Sequence, residues 1–401
     1  MSTEIVVTCA VFLVFVIYLY VEKIWFRRQT ESIPLRICVT GTRGKSSVTR
    51  LIATVLKDSG YSVLAKTTGS RPAMINPDGT EKEIIRHGRP TILEARKVLK
   101  VAKSQGVQTI VLELMGILPE SVYVESVRML KPHILVITNV RHDHMAQMGS
   151  TKQEIASCFA SAIPKDCAVF VLKDELFPVY HAVAESRNAR IIQVPLGSHQ
   201  SLSDNKVGVS SPFEFTGNIE LALAVAEHIG IDRDKAVRTV ASAFPDFGSL
   251  KVWMMDEDSP EQSWFFVSAF AANDPQSTRE ILAVDKIKSL LEGRRVIALL
   301  NFRRDRGDRT LQWLDALESN AFPELDRIVF LGHHAFTASR RLRNIPKDGV
   351  QAWPKCSPGE IIGKLSVQEK KGAVLIGMGN MQGAGKDFVD FWEATGQRYD
   401  L

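Results

Sequence analysis

The chain has 401 residues, of which 45% are hydrophobic and 24% are charged, with 26 glycines and 17 prolines. This balance is typical of globular proteins and excludes a disordered, a collagen-like and a polytopic membrane protein, while the length favours two domains. The formal net charge of +5 is too small to indicate nucleic-acid binding by the whole chain, so we expect no nucleic-acid partner.

Residues 5–21 form an uncharged apolar run, which is at the lower length limit for a membrane-spanning helix. Lys23, Arg27 and Arg28 follow the run and no Lys or Arg precedes it, so the positive-inside rule places the N-terminus outside and the rest of the chain in the cytosol. A cleaved signal peptide would need a basic n-region and a small-residue cleavage site, and neither is present. A buried core helix is the other alternative. We expect a membrane anchor over residues 1–30, with its helix at about 5–21, in a single-pass protein of the cell membrane.

From residue 32 onwards, apolar runs alternate with helical patterns, which predicts an α/β domain with a mostly parallel sheet. Between them, Arg71–His87 is rich in Pro, Gly and charge and is expected to form a loop or hairpin. The expected helices are Ser46–Asp58 and Thr91–Gln105, and the expected strands are Ser32–Thr40, Tyr61–Lys66, Val107–Leu114, His133–Asn139, Val169–Leu172 and Arg190–Val194.

The same alternation resumes in the last third of the chain. After two expected helices, Gly217–Ile229 and Arg233–Ala243, the turn-forming run Pro245–Gly248 marks a domain boundary. We therefore expect a central domain over residues 31–245 and a smaller, Rossmann-like α/β domain over 246–401. The elements expected in that second domain are strands Trp264–Ser268, Val296–Asn301, Ile328–Leu331 and Ala373–Ile376, with helices after Pro275 and near Thr310–Glu318.

A glycine-rich turn lies between the first apolar strand and the first helix. Glycines let backbone N–H groups turn towards phosphate oxygens, and the helix N-terminus adds a favourable dipole. Lys45 is placed to reach the β- and γ-phosphates, and the Ser46 hydroxyl to bind Mg²⁺. The strict GxxxxGK[ST] pattern would need glycine where Val39 stands, so an accidental helix cap is the alternative. The residues expected to bind nucleotide here are Gly41, Thr42, Arg43, Gly44, Lys45, Ser46 and Ser47.

Two further strands end in polar residues. Glu113 closes the strand Val107–Leu114, and the run Thr138–His144, with sequence TNVRHDH, closes the next strand. Ligands of open α/β sheets bind at the carboxyl ends of the strands, so both sets are candidates for the same crevice. The alternatives are a solvated strand terminus for Glu113 and ordinary loop polarity for the histidines.

These motifs resemble those of the Mur ligase family, ATP-dependent amide ligases that also include folylpolyglutamate synthase. The residues 41–46 match the family's short GTxGK[ST] loop, Glu113 matches its strand-end carboxylate, and 138–144 match its TNxxxDH motif. Asn218 resembles the family's Asn on the adenine side, and Ala272–Pro275 resembles its AHNP segment. The resemblance spans the chain from about Arg36, and it is weaker over the last 150 residues.

The resemblance implies that a carboxylate attacks the γ-phosphate of ATP and that an amine then attacks the resulting acyl phosphate, releasing ADP and phosphate. It implies ATP and Mg²⁺ as cofactors, with Ser46 and Glu113 holding one metal ion and Glu113 with His144 holding another. Asn139 would lie beside the acyl group and the γ-phosphate. The catalytic residues that it implies are Lys45, Glu113, Asn139 and His144.

The sequence departs from the family at several positions. No lysine stands in Ser157–Ala160, where many relatives carry a carbamylated one, so the carbamate is doubtful. Lys251 stands near a family arginine, and the histidine of AHNP is replaced by Ala272. A basic loop after a C-terminal strand, Asn301–Arg309, is either a solvated charge run or a cover for phosphates or an anionic substrate. Asp305 in this loop is a candidate nucleotide contact.

The front of the chain separates it from the peptidoglycan ligases, since the loop at Gly41 leaves no room for their UDP-substrate domain. A membrane-anchored ligase without that domain resembles the ligase subunit of poly-γ-glutamate synthases of capsule assembly. This resemblance implies glutamate and a polyglutamate chain as substrates, cytoplasmic catalytic domains and other membrane subunits of a synthesis and export complex as partners. Two alternatives are an NTPase that energises a membrane export complex without ligation, and a Mur-like ligase for another amino-acid substrate.

Overall fold

The computed structural model describes residues 3–69, 72–86, 88, 90–196, 213–243, 251–257, 259–270, 272–342 and 349–399. They form two compact units, one within Met1–Gly197 and Gly217–Ala243 and the other mainly within Phe244–Leu401. The predicted boundary at Pro245–Gly248 lies outside the described residues. Each unit has its own sheet and its own core.

The first unit contains an eight-stranded sheet with the order β4-β3-β2-β5-β1-β6-β7-β8. Strands β2, β5, β1, β6, β7 and β8 run parallel, whereas β3 pairs antiparallel with both β2 and β4. The strands are β1 (Leu35–Thr40), β2 (Val63–Lys66), β3 (Ala73–Ile75), β4 (Glu81–Glu83), β5 (Thr109–Glu113), β6 (Ile134–Ile137), β7 (Ala168–Leu172) and β8 (Arg190–Val194).

Helices alternate with the strands of this unit along the chain, because parallel strands need crossover connections. They are α1 (Thr3–Glu31), α2 (Lys45–Asp58), α3 (Glu94–Ser104), α4 (Pro119–Tyr123), α5 (Met145–Met148), α6 (Lys152–Ala160), α7 (Pro178–Ser186), α8 (Phe213–His228) and α9 (Arg233–Ala243). A π-helix, Val124–Leu130, continues α4, and a 3₁₀ turn, Lys173–Glu175, follows β7.

The second unit contains a seven-stranded sheet with the order β13-β12-β11-β14-β10-β9-β15, parallel except at β9. Its strands are β9 (Lys251–Glu257), β10 (Ser259–Ser268), β11 (Val296–Phe302), β12 (Arg327–Gly332), β13 (Val350–Ala352), β14 (Val374–Gly379) and β15 (Gln397–Arg398). Its helices are α10 (Pro275–Leu282), α11 (Asp285–Leu291), α12 (Gly307–Glu318), α13 (Ala335–Arg341), α14 (Pro358–Gln368) and α15 (Ala384–Thr395). The predicted α/β class with two mostly parallel sheets is confirmed.

Helix α1 is longer than the predicted segment at about 5–21. It runs for 29 residues to Glu31, and its apolar part has a mean hydropathy of 2.5 and is fully exposed. By length and composition α1 can cross a membrane. Its last turns differ in character, because Gln29 and Thr30 are buried against the first unit. The charged residues after Val21 therefore continue the helix onto the folded domain instead of ending it.

Candidate active site

The glycine-rich turn between β1 and α2 approaches its neighbours too closely for any side chain. Gly41 and Gly44 have φ of +124° and +77°, in the region that favours glycine. A Cβ atom on Gly41 would lie 2.2 Å from Thr138 Oγ1, and one on Gly44 would lie 2.3 Å from Asn218 Oδ1. The turn is thus packed between the end of β6 and helix α8, and this contact brings Asn218 to the phosphate loop.

The residues after β6 hold the backbone of this turn. The Arg43 N–H donates to Asn139 Oδ1 at 2.9 Å, and the Thr42 N–H donates to the Asn139 carbonyl at 3.0 Å. The Thr138 hydroxyl donates to the Arg43 carbonyl at 2.5 Å. Asn139, predicted to lie beside the reacting groups, is 4% exposed and here fixes the shape of the loop.

Lys45 is the first residue of α2 and is half-buried. Its ammonium donates to the carbonyls of Gly41, at 2.8 Å, and Thr42, at 3.1 Å. The cation is therefore held inside the turn, where the phosphate oxygens of a nucleotide would offer it stronger acceptors than neutral carbonyls. Ser47, in the same first turn of α2, is also half-buried.

Ser46 and Glu113 converge where β1, β5 and α2 meet. The Ser46 hydroxyl donates to Glu113 Oε2 at 2.6 Å, and the Thr68 N–H donates to the same oxygen at 2.7 Å. Glu113 is 3% exposed, because β5 is a central strand of the sheet. A hydroxyl and a carboxylate are the hard oxygen donors that Mg²⁺ prefers, so this pair fits the predicted metal site.

His144 lies at the start of α5 with φ of +49°, and its N–H donates to Asp143 Oδ1 at 2.9 Å. Asp143 also pairs with Arg43 at 3.4 Å, with both side chains largely buried. This ion pair joins the TNVRHDH run to the phosphate loop. In the part of the chain that the structure describes, no three His, Cys, Asp or Glu side chains are grouped as metal ligands. A second metal site with Glu113 and His144 stays a prediction.

Two carboxylates that the sequence analysis missed support this site. Glu175, in the turn after β7, accepts the Val140 N–H at 3.0 Å and pairs with the Arg141 guanidinium. It lies at the carboxyl end of the strand next to β6, so the rule that selected Glu113 also applies to it.

Glu125 is the other missed carboxylate, and it lies in the π-helix. Its Oε2 accepts the N–H groups of Met115 and Gly116, each at 2.8 Å, just after Glu113. The side chain is nearly fully buried, and this burial raises the pKa of Glu125 to about 7. Nothing in its sequence neighbourhood distinguished it from the exposed charges of an ordinary helix.

The basic loop of the second unit is shorter than predicted, because α12 begins at Gly307. Arg309 is consequently a buried helical residue whose Nη1 donates to Asn380 Oδ1 at 3.2 Å. Asp305 accepts from Arg303 at 2.9 and 2.6 Å, and this bonding lowers the pKa of Asp305. Arg303, Arg304 and Asp305 line a cavity of about 720 Å³ at the carboxyl ends of β11 and β14.

The positions that depart from the family have identifiable roles in the second unit. Lys251, the first residue of β9, pairs with Glu393 at 2.7 Å. Ala272 is buried, and Asn273 follows it with φ of +65°. Asp274 caps α10 by accepting the Ser277 N–H at 2.9 Å. In the first unit, residues 157–160 lie in α6, where Cys158 is buried.

Two family profiles match the chain. The Mur ligase middle domain matches residues 39–226, and the poly-gamma-glutamate synthase CapB C-terminal domain matches residues 255–395. The capsule biosynthesis protein CapB of Bacillus anthracis is 32% identical over 95% of this chain and 81% of its own length. The PGA synthase CapB of Bacillus subtilis (strain 168) is 30% identical over 96% of each chain. The predicted resemblance is confirmed.

The fold is also that of a solved bifunctional folylpolyglutamate synthase/dihydrofolate synthase from Yersinia pestis, which was determined with AMPPNP and a Mn ion. The TM-score is 0.64 at 13% identity, covering 93% of this chain and 92% of that one. The fold is thus shared at an identity too low to carry residue roles.

Proposed function

The chain belongs to the CapB family of poly-γ-glutamate synthases, and we propose that its phosphate loop, Glu113 and the TNVRHDH run form the active site of an ATP-dependent amide ligase acting on glutamate. The observation that carries this proposal is the convergence of Ser46 and Glu113, with 2.6 Å between their oxygens, beside a glycine turn that admits no side chain.

The reaction has two steps. A glutamate carboxylate oxygen attacks the γ-phosphorus of ATP, the bond between that phosphorus and the β,γ-bridging oxygen breaks, and ADP leaves. The amine nitrogen of a second glutamate then attacks the acyl carbon, the bond to the phosphate oxygen breaks, and the nitrogen loses a proton. The products are an amide, ADP and phosphate, so each added residue consumes one ATP.

The protein's part in the first step is to position charge, since phosphoryl transfer depends mainly on placement and electrostatic stabilisation. The backbone of residues 41–44, fixed by Thr138 and Asn139, presents N–H groups at the N-terminus of α2. Lys45 supplies a cation to the β- and γ-phosphates. Mg²⁺, held by Ser46 and Glu113, would neutralise the phosphate oxygens when bound.

The proposal extends to location and partners, for which α1 and the CapB relatives are the support. A 29-residue helix whose apolar part is fully exposed supports a single-pass protein of the cell membrane with both units in the cytoplasm. Glutamate and the growing polyglutamate chain are its substrates, and other membrane subunits of a synthesis and export complex are its partners.

The experiment that tests the proposed site compares the full-length Glu113→Gln variant with the unchanged chain. Both are purified in detergent and supplied with Mg·ATP and glutamate. We expect glutamate-dependent ADP release to fall about 100-fold or more, because removing one preorganised charged group of this kind costs roughly 3 kcal/mol in the transition state. The matched control is Glu185→Gln, an exposed carboxylate of α7, which should retain full activity. Full turnover in Glu113→Gln would contradict the metal assignment.

A further inference from the structure

We propose that α3, together with the nearby Ile85 and Leu93, forms a second membrane contact, which binds the headgroups of anionic phospholipids. We call this the α3 surface and define it by Ile85, Leu93, Lys97, Lys100 and Lys103. The inference rests on the proposed membrane location, to which it adds the orientation of the first unit at the bilayer.

The first step of the argument is position. Glu22 is the first charged residue after the apolar run 5–21, so it marks the level at which α1 leaves the hydrocarbon. Arg96 of α3 pairs with Glu22 at 2.6 Å, and its guanidinium lies over the Phe26 ring, 5.4 Å from the centroid. The first turns of α3 are therefore held at the height of the lipid headgroups.

The second step is charge. Lys97, Lys100 and Lys103 are exposed, and they make no ion pair with any residue that the structure describes. The one acidic residue in the stretch 84–104 is Glu94, which is engaged by Lys66 at 3.2 Å and by Arg86 at 2.7 Å. The α3 surface thus carries three lysines with no counter-ion of its own, and an anionic bilayer supplies the complementary charge.

The third step is the apolar component. Ile85 is 78% exposed and Leu93 is 50% exposed, and both precede the lysine-bearing turns of α3. An element that combines exposed aliphatic side chains with lysines has the character of an interfacial membrane contact, in which the aliphatic groups enter the headgroup boundary. A soluble polyanion such as the polyglutamate product would satisfy the lysines and leave Ile85 and Leu93 in water. An anionic bilayer offers phosphate groups to the lysines and an apolar boundary to Ile85 and Leu93.

The test places an environment-sensitive fluorophore on Leu93→Cys in a full chain whose accessible cysteines are replaced, Cys9→Ser and Cys356→Ser, since the other three are buried. The protein is reconstituted into lipid nanodiscs that contain a phosphatidylcholine with a spin label near its headgroup. We expect quenching to be roughly twofold stronger in discs with phosphatidylglycerol than in neutral discs, because surface lysines are attracted by anionic lipid.

The charge variant is Lys97→Glu combined with Lys100→Glu and Lys103→Glu, and it should lose the difference between the two lipids. The matched control reverses three exposed charges of the second unit, Arg340→Glu, Lys370→Glu and Lys371→Glu, and should keep that difference. Equal quenching in both lipids, or none, in chains that remain in the discs would overturn the α3 surface while leaving the anchor intact. Chains that do not remain in the discs would overturn the membrane location itself. A label that responds to added poly-γ-glutamate and not to phosphatidylglycerol would assign the surface to the polymer and also overturn the proposal.

Discussion

Gly44 determines how closely the phosphate loop approaches α8. Replacing it with alanine places a methyl group 2.3 Å from Asn218 Oδ1, so the loop must move away from the helix. We expect Gly44→Ala to weaken ATP binding at least tenfold, measured by titration with a fluorescent ATP analogue. Gly60→Ala is the control, because Gly60 has a similar φ of +90° but no atom lies within 4 Å of the position that its new methyl group would occupy. Equal loss of affinity in both variants would attribute the effect to backbone strain alone.

Glu125 makes the stability of the first unit depend on pH. Its folded pKa of about 7 lies above the ordinary 4.5, so its contribution is complete below pH 4.5 and is lost as the pH rises through 7. The shift corresponds to about 3 kcal/mol in the free energy of unfolding. Glu125→Gln stays neutral and should lose less stability than the unchanged chain between pH 5 and 8, measured by urea unfolding in detergent. Glu185→Gln, which is exposed, should follow the unchanged chain. Parallel pH profiles of the Glu125→Gln variant and the unchanged chain would contradict the assignment.

Three of the predicted site residues lie near carboxyl ends of strands in the same sheet. Ser46, Glu113 and Asn139 each lie within a few residues of the carboxyl end of a parallel strand, so the topology of the sheet alone brings them together. Glu125 reaches the same region from a π-helix, and its role depends on which way one turn of that helix faces. No pattern in the sequence specifies that direction.

At the scale of elements, the last turns of α1 belong to the first unit, whereas its apolar part is exposed. Phe26 packs on the core, and the buried Thr30 hydroxyl donates to the Met129 carbonyl at 3.1 Å. The Thr30 carbonyl in turn accepts from Arg36 at 3.3 Å. We infer that the last ten residues of α1 are a structural part of the domain, which the predicted anchor over residues 1–30 did not separate from the membrane span.

Two truncations test this division. Removal of residues 1–21 should give a water-soluble chain with unchanged thermal stability, because residues 3–21 are exposed and lie outside the core. Removal of residues 1–31 should lower the free energy of unfolding by about 2–4 kcal/mol. It uncovers the surface under Phe26 and leaves buried polar groups without partners. Thermal unfolding of the two proteins makes the comparison. Identical unfolding midpoints for the two proteins would contradict a structural role for residues 22–31. If the chain that lacks residues 1–21 stays in the membrane fraction, this result would contradict the anchor.

The strands that the sequence predicted well are those buried on both faces. The runs in β1, β5, β6 and β11 are almost continuously apolar, as central parallel strands require. Strand β9 was not predicted, because the polar residues at its end continue into the first half of β10, so the sequence gives no clear strand boundary there. For the segment that contains β3 and β4, the sequence predicted either a loop or a hairpin, and the structure has a hairpin. Strands of three residues at a sheet edge show little alternation of apolar and polar residues, so the sequence could not distinguish the two.

At the scale of the molecule, the chain combines an N-terminal helix that is long and apolar enough to cross a membrane, a unit that carries the phosphate loop and a second α/β unit. Helix α1 leads within a few residues to β1, and β1 leads directly to the phosphate loop at Gly41. With α1 in the bilayer, as proposed, this short connection would hold the proposed site close to the membrane surface. The energy for each amide bond comes from the activated carboxylate, so the central claim concerns the acyl phosphate.

The most direct measurement uses the purified full chain in detergent with Mg·ATP, hydroxylamine and individual amino acids. Hydroxylamine converts an acyl phosphate into a stable hydroxamate, which is identified together with the ADP released. We predict hydroxamate formation that depends on glutamate and is absent from the Glu113→Gln variant. ADP release that is the same with every amino acid and with none, without hydroxamate, would contradict the account and would indicate an NTPase that does not activate carboxylates.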